Sequence, residues 1–471
     1  MIVEPWTGDA CSLVDAYRDG VVSPLEVTEA ALKAIADSEL NAFSLVDDQR
    51  ALDAAVNADI SLPFGGVPMG IKELEAVEGW PDTEASLVFA DRVYEFDSTQ
   101  VTRLRAAGAI LVAQTTSPEF GGINATYSRI HGVTRNPWNP ERTPGGSSGG
   151  TAAAVAGGIL PIASGSDGGG SIRIPSGFSG LFGLKATYGR IPRGPRVRHE
   201  PLTVTVGCLS RSVRDTARWL DVCSGPDSRD TLSLARVDGW ETGLGTHNLE
   251  GKRAVIAIDL GSAVVEERMT GYLIELCELL IETAKLRRVD VAVKFPSSGW
   301  TWAISNNVGT KATLGDLYPD CAEDLTREIK GSMKMAVERY SLEVAAAAEN
   351  FRIDMNEAMA NVFDEADFIF AATNPDVAFA AEGPMPTTVG DVDLRETLGM
   401  GKAISNNGAL TIPANLTGNP AISVPAGTIG GLPFGLQIIG RHHEEPLLLD
   451  LALVAERENP WPLTAPPSKT P

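Results

Sequence analysis

The sequence predicts one large α/β domain: a mixed, mostly parallel central β-sheet covered by helices on both faces. Three observations carry this reading. Helical patterns and short, wholly apolar strands alternate along the N-terminal part of the chain, the rhythm of strands joined by crossover helices. The 471 residues are 43% hydrophobic, ample for a large core. No internal repeat and no linker divides residues 1–459, which read as a single unit; residues 460–471, rich in proline, read as a loose tail.

The elements follow in order. Asp9 caps a short helix that Gly20 ends. Ser23-Pro24-Leu25-Glu26 is a capping box with proline in the first turn, and its helix runs to about Asp37. Leu62 to Ile71, LPFGGVPMGI, reads as a turn and then a buried strand that delivers Lys72 at its end. Ser98 to Ala107 is a helix closed by Gly108, and AILVAQTT follows as a buried strand. RTPGGSSGG leads into an alanine-rich helix and a second apolar strand, Ile159 to Ser164. The chain after Ser171, SIRIP, reads as extended. Further on, Lys252 to Leu260 is a strand, Glu266 to Lys285 an amphipathic helix and RVDVAV another strand. Residues 296–400 read as helical and irregular. NPAISVPAG and PFGLQIIGR are two strands around a Gly-Gly-Leu-Pro turn, and Glu444 to Glu456 is a closing helix.

Composition excludes several classes. A net charge of −22 argues against nucleic acid and anionic membranes as partners. The five cysteines, Cys11, Cys208, Cys223, Cys277 and Cys321, lie far apart, with no C-x-x-C pair. Neither a zinc site nor a disulfide framework is expected, and a reducing cytoplasm fits. The N-terminus shows no export signal. The longest run of small apolar residues, Thr151 to Ala163, is too short and too glycine-rich to span a bilayer.

The chemistry concentrates in two glycine-serine stretches. In Ser166-Asp167-Gly168-Gly169-Gly170-Ser171, successive glycines allow backbone amides to converge on one point. Placed before a nucleophile, the amides of Gly168, Gly169, Gly170 and Ser171 would form an oxyanion hole, with Ser171 attacking. A tight turn or a phosphate loop is the competing reading. Upstream lies Thr143-Pro144-Gly145-Gly146-Ser147-Ser148-Gly149-Gly150. It lacks the Gly-Lys-Ser/Thr of a phosphate loop but matches the G-x-S-x-G nucleophile elbow of serine esterases, with Ser147 as nucleophile and His442 or His443 as base. That reading needs a strand directly before the serine, where this chain is proline-rich. The base for Ser171 is otherwise open. Only His131, His199, His247, His442 and His443 are present, none with an evident carboxylate partner. Lys72, at the end of an apolar strand, would be poorly solvated, and burial favours the neutral amine that can accept a proton; a solvated surface lysine is the alternative.

GVPMGIKE, RNPWNPERTPGGSSGG, SDGGGSIRIPSGFSGLFGLKATYGRIPR and GNPAISVPAG…GLPFGLQIIG resemble, in order, the blocks of the amidase signature family. They span most of residues 60–215 and 410–457; residues 225–400 carry little of the resemblance. The resemblance implies a Ser–Ser–Lys triad: Ser171 as nucleophile, Ser147 after a cis peptide as the bridging serine, and Lys72 as the base. It implies an amidohydrolase acting on a small-molecule amide through an acyl-enzyme, with no metal or organic cofactor, and a homodimer. The A subunit of glutamyl-tRNA(Gln) amidotransferase resembles the same family. However, this chain has Gln114 to Phe120, QTTSPEF, where that protein usually reads like KTNMDEF, and Gly168-Gly169-Gly170-Ser171 where it usually has Thr-Gly-Gly-Ser. Glu73 follows Lys72 where the family more often has aspartate, and a longer carboxylate there would hold the lysine charged and shift activity to high pH. Asp167 and Arg173 are expected to brace the loop. Trp300 and Trp302 are candidates to line an aromatic pocket, with core packing as the competing role. Loops around PEFGG and His131 are further candidates for the pocket wall.

Overall fold

The computed structural model describes residues 4–199 and 201–466. Asp9 and Ser23 start the first two helices, Ala10–Arg18 and Pro24–Asp37. Asp9 accepts from the Ser12 amide at 2.7 Å, and Ser23 and Glu26 exchange both bonds of a capping box.

Eleven strands among the described residues build the central sheet: β1 (Phe43–Val46), β2 (Pro68–Lys72), β3 (Ile110–Thr115), β4 (Ile162–Asp167), β5 (Phe182–Lys185), β6 (Thr205–Ser210), β7 (Arg253–Ile256), β8 (Arg287–Arg288), β9 (Phe368–Ala372), β10 (Ala421–Ile429) and β11 (Leu432–Gly440). Their order across the sheet is β1-β3-β2-β4-β6-β5-β10-β11-β9-β7-β8. The sheet is mixed. β2 runs parallel to β3 and β4, and β7 runs parallel to β9 and β8. From β4 to β9 the neighbours are antiparallel, as is the β1–β3 edge. The antiparallel centre includes a tight hairpin. β10 and β11 meet through Gly430 and Gly431, both at positive φ, as a two-residue turn with the twist of its strands requires. β2, β3, β9 and β11 are buried along their whole length, so residues of both parities are covered and both faces of the sheet are closed.

The sequence reading departs from the structure in particular places. Of RVDVAV, only Arg288 lies in the short β8, with Val289 adding one more bond to β7. This is an edge strand with exposed arginines, and no further strand of the described residues pairs with its outer side. β9 lies inside the segment read as helical and irregular. Its five buried residues follow a 24-residue helix, Leu342–Glu365, and carry no periodicity of their own. The first part of the proline-rich tail is not loose. Trp461 Nε1 donates to the Arg211 carbonyl at 2.9 Å, and the Ala465 amide to Ala156 at 2.7 Å. The end of that tail, residues 467–471, and the first three residues lie outside the described residues.

The parallel pair β2 and β4 brings Lys72 and Asp167 to the same edge of the sheet, the carboxyl ends of adjacent strands, where α/β sheets present their sites. No helix of the described residues is long and apolar enough to cross a membrane. Arg211, fully buried, ties this region to the N-terminus. Its guanidinium donates to the carbonyls of Val155, Leu160, Trp6 and Gly8 at 2.7–3.1 Å. Arg211→Met strands those buried carbonyls and should lower stability by about 3 kcal/mol or more, read as a reduced urea midpoint with unchanged slope.

Candidate active site

Lys72 ends β2 with 1% of its surface exposed. Its backbone amide donates to Ser164 Oγ at 2.9 Å. Its Nζ lies 2.7 Å from Ser147 Oγ, 3.0 Å from Ser148 Oγ and 2.9 Å from Ser166 Oγ. Among the described residues no carboxylate is within ion-pair distance of it. Burial pushes its pKa down to about 7, against the upward pull of Asp167, Glu75 and Glu84. Three hydroxyls suit a neutral amine. Ser148 Oγ is placed to donate to the Ser166 carbonyl and so accepts from Nζ; Ser166 can accept too, which leaves the lone pair for the Ser147 hydroxyl.

Ser147 follows a cis peptide from Gly146. A Cβ on Gly146 would come within 2.7 Å of the carbonyl oxygens of Ile123 and Ala125, so only glycine fits there. The residues before Ser147 form no strand, and its helix, Gly149–Ala156, starts two residues later. The elbow reading is therefore corrected. His442 Nε2 contacts the Thr417 carbonyl and His443 Nδ1 faces Arg190, neither among the residues that surround Ser147.

Downstream of β4, SIRIP is helical and not extended: Arg173–Ser179 is a helix. The reason is Asp167. Its carboxylate takes the amides of Gly170 (2.8 Å), Ile172 (3.2 Å) and Arg173 (3.4 Å), satisfying donors that a helix start leaves open. Pro175 sits in the first turn, where it costs no bond. The wholly buried Arg173 spends all five of its N–H donors: two on Asp167, one on Thr411 O, one on Gln437 Oε1 and one on Asn415 Oδ1. Burial pushes the Asp167 carboxyl up, but Arg173 and Asn415 outweigh it and hold that carboxyl well below the usual carboxylate range. The pair braces the loop as expected.

This bracing corrects one expected oxyanion donor. The Gly170 amide is committed to Asp167; at φ +124°, with Thr411 Oγ1 2.4 Å from where a Cβ would be, Gly170 serves the turn. Among the described residues the amides of Gly168, Gly169 and Ser171 have no hydrogen-bond acceptor. Lys72, Ser147, Ser171, Gly168, Gly169 and Trp302 line one cavity of about 330 Å³. No hydrogen bond joins the Ser147 and Ser171 side chains, a contact that commonly tightens only with substrate in place.

Several residues take other places. Glu73 turns away from Lys72. Its Oε1 accepts from Thr83 and pairs with His131 Nε2 at 2.6 Å, so it does not hold the lysine charged, and His131 anchors Glu73 instead of lining the cavity. Trp302 lines the cavity, its Nε1 donating to the Gly168 carbonyl at 2.7 Å, whereas Trp300 is 48% exposed and packs in no core. Phe120 and Gly121 of the PEFGG loop form part of the wall. Lys185 is a second buried lysine, also pushed down to about 7 by burial, but its Nζ donates to Ala186 O and it does not line the cavity. Sequence reasoning missed Ser148, Ser164 and Ser166. The alternation of Ser164 and Ser166 along an apolar strand puts both on one face and was the available signal. Among the described residues no cluster of three or more His, Cys, Asp or Glu side chains could hold a metal ion, and all five cysteines are free.

A family model described as Amidase matches residues 26–449. The chain belongs to the amidase family. It is 32% identical to the A subunit of glutamyl-tRNA(Gln) amidotransferase from Thermus thermophilus, over 93% of this chain and 94% of the relative. It is also 32% identical to an acylamidase of Rhodococcus erythropolis, over 96% and 95%. A solved bacterial aryl acylamidase of the amidase signature enzymes family has the same fold, with a TM-score of 0.88, 27% identity and 96% of each chain covered.

Arg173→Met leaves Asp167 buried and unpaired and should cost about 3–5 kcal/mol, measured by denaturant unfolding. The double variant Asp167→Asn, Arg173→Met should recover part of that loss, giving a coupling energy well above that of an exposed ion pair.

Proposed function

We propose that this chain is an amidohydrolase that cleaves a carboxylic amide C–N bond to acid plus amine or ammonia through an acyl-enzyme on Ser171. The observation that carries this is the buried Lys72 amine. It lies 2.7 Å from Ser147, without a counter-ion among the described residues, in the cavity that Ser171 shares.

The steps follow from that placement. Ser171 Oγ attacks the amide carbon. Its proton passes to Ser147 Oγ, while the Ser147 proton passes to the Lys72 lone pair. The carbonyl oxygen becomes an oxyanion, held by the amides of Gly168, Gly169 and Ser171. Such preorganised donors contribute about 2.7–4 kcal/mol each. The lysine's proton then returns through Ser147 to the leaving nitrogen, and the C–N bond breaks. Water repeats the sequence on the acyl-enzyme, gives up its proton along the same relay, and the acid leaves with Ser171 restored. The relay must release the proton as readily as it takes it, and a lysine pushed down to about 7 by burial is matched to both directions near neutral pH.

Acylamidase relatives support linear or aryl amides as substrates of this chain. A reducing cytoplasm and a homodimer belong to the same proposal. Five unpaired cysteines, four of them buried, support the first, and the family resemblance supports the second. The amidotransferase reading shares the family and differs in requiring a partner, so amide turnover by the isolated chain separates the two.

Purified protein should release amine from small anilides or primary amides without a partner. Ser171→Ala should lose at least about a thousandfold, and Lys72→Ala and Ser147→Ala about a hundredfold or more. Retention of activity by Ser171→Ala would overturn the assignment. The base works only when neutral, so kcat/KM should fall about tenfold per pH unit below about 7 and level off above it. A rise confined to pH 9–10, the range of an ordinary lysine, would contradict the buried-amine relay.

A further inference from the structure

The catalytic cavity opens into a vestibule of about 850 Å³, and the two share the walls Glu84, Tyr94, Phe96, Phe120, Arg193 and Arg196. Resting on the amidohydrolase reading, we propose that Arg193, Arg196 and Arg198 form an anion-recognition rim that selects amides with a carboxylate at the far end of one arm.

The rim is built by one loop, and the loop is pinned. The Arg193 amide donates to Asp230 at 2.9 Å, and the Gly194 carbonyl accepts from the Thr99 amide at 2.8 Å. Each guanidinium is held, and no described carboxylate neutralises it. Arg193 Nη2 donates to the Tyr188 hydroxyl and the Arg198 carbonyl. Arg196 lies over the Phe96 ring, 5.2 Å from its centroid. Arg198 Nη1 donates to Gly309 O and Thr313 Oγ1. Among the described residues none of the three is in an ion pair. Among the described residues Arg198 keeps Nε and Nη2 free of acceptors and Arg196 keeps its whole fork, the geometry that receives a carboxylate by two parallel bonds, whereas Arg193 keeps Nε and Nη1, which offer single bonds.

Among the described residues that line the vestibule the opposing charges are few. Asp82 is taken by Arg92 at 3.0 Å. Glu84, held at φ +51°, has no ion-pair partner among the described residues. Burial and the neighbouring Asp82 push it up to about 7, against the pull of Arg92 and Arg198, so at neutral pH it presents a partial negative charge to three full positive ones. On a chain of net charge −22, the rim gathers three arginines at the entrance. On another side of Ser171 lies a separate compartment of about 190 Å³, lined by Ile123, Ile174, Met385 and Ile412. An amide bound at Ser171 thus has an apolar compartment for one arm and a cationic entrance for the other.

The test is calorimetric binding to Ser171→Ala protein, which holds amides without turning them over. The probes are three anilides of similar length: glutaranilic acid, pentananilide and 5-aminopentananilide, which end in a carboxylate, a methyl and an ammonium. N-(3-carboxypropyl)benzamide places the carboxylate on the amine side, with N-butylbenzamide as its neutral match. One of the two carboxylates should bind about tenfold tighter than its neutral match. That ratio should shrink between about 0.05 and 0.5 M salt and approach one in the Arg196→Ala and Arg193→Ala backgrounds, while Glu84→Gln should increase it. Equal binding of carboxylate and neutral ligands overturns the inference. So does preference for the ammonium, which would give recognition to Glu84. Turnover of pentananilide by the wild type reports separately on the amidohydrolase reading.

Discussion

The amine of Lys72 lies among three serine hydroxyls, out of water and out of reach of any described carboxylate. A charged ammonium is poorly served there, because desolvation penalises it and no counter-ion offsets the loss. A neutral amine is fully served, with two donors and one acceptor matched. The rest of the site can be read as what keeps this environment intact. β2 is buried, β4 is buried except at Ser166, and the two run parallel, so their ends bring Lys72 beside Ser166. The cis peptide before Ser147 belongs to the segment that carries its hydroxyl to the amine, and Gly146 is the residue small enough for that path.

A second buried charge system works in the opposite sense. Asp167 and Arg173 are both ionised, fully buried and fully hydrogen-bonded, and they hold the loop that carries Ser171. The carboxylate draws in the Gly170, Ile172 and Arg173 amides, while those of Gly168, Gly169 and Ser171 have no acceptor among the described residues. Arg173 ties the loop to Thr411, Asn415 and Gln437, far away in sequence. Lys185 shows that depressed basicity alone does not make a proton relay. It is as buried as Lys72, but a backbone carbonyl takes its amine and no hydroxyl bridges it to a nucleophile.

Much of this was legible in the sequence where the cause is local. The capping residues Asp9 and Ser23, the buried strand before Lys72 and the C-terminal hairpin each depend on neighbours within a few residues. Lys72, Ser147 and Ser171, the three side chains of the proposed relay, were singled out through the family blocks that contain them, and the structure gathers all three around one cavity. The direction of Glu73 was also available, since adjacent residues at a strand end point to opposite sides; reading it as a neighbour of the Lys72 charge ignored that alternation. The helix after Ser171 was missed because its start is made by a carboxylate six residues earlier, before the loop, and not by a residue at the cap itself. The partners of Arg173 left no local signal. Neither did β9, a short apolar run whose strand character comes from the β7 and β11 neighbours that it lies between.

The central claim is that burial lets the Lys72 amine lose its proton near neutral pH. The direct measurement is a carbon-13 NMR titration of protein labelled at the lysine ε-carbons, with Lys72 assigned by its loss in Lys72→Met and Lys185 by its loss in Lys185→Met. The account predicts that the Lys72 resonance titrates near pH 7, from burial. A Lys72 midpoint at or above pH 9.5, close to that of an exposed lysine, would show a charged ammonium among the serines and contradict the relay built on it.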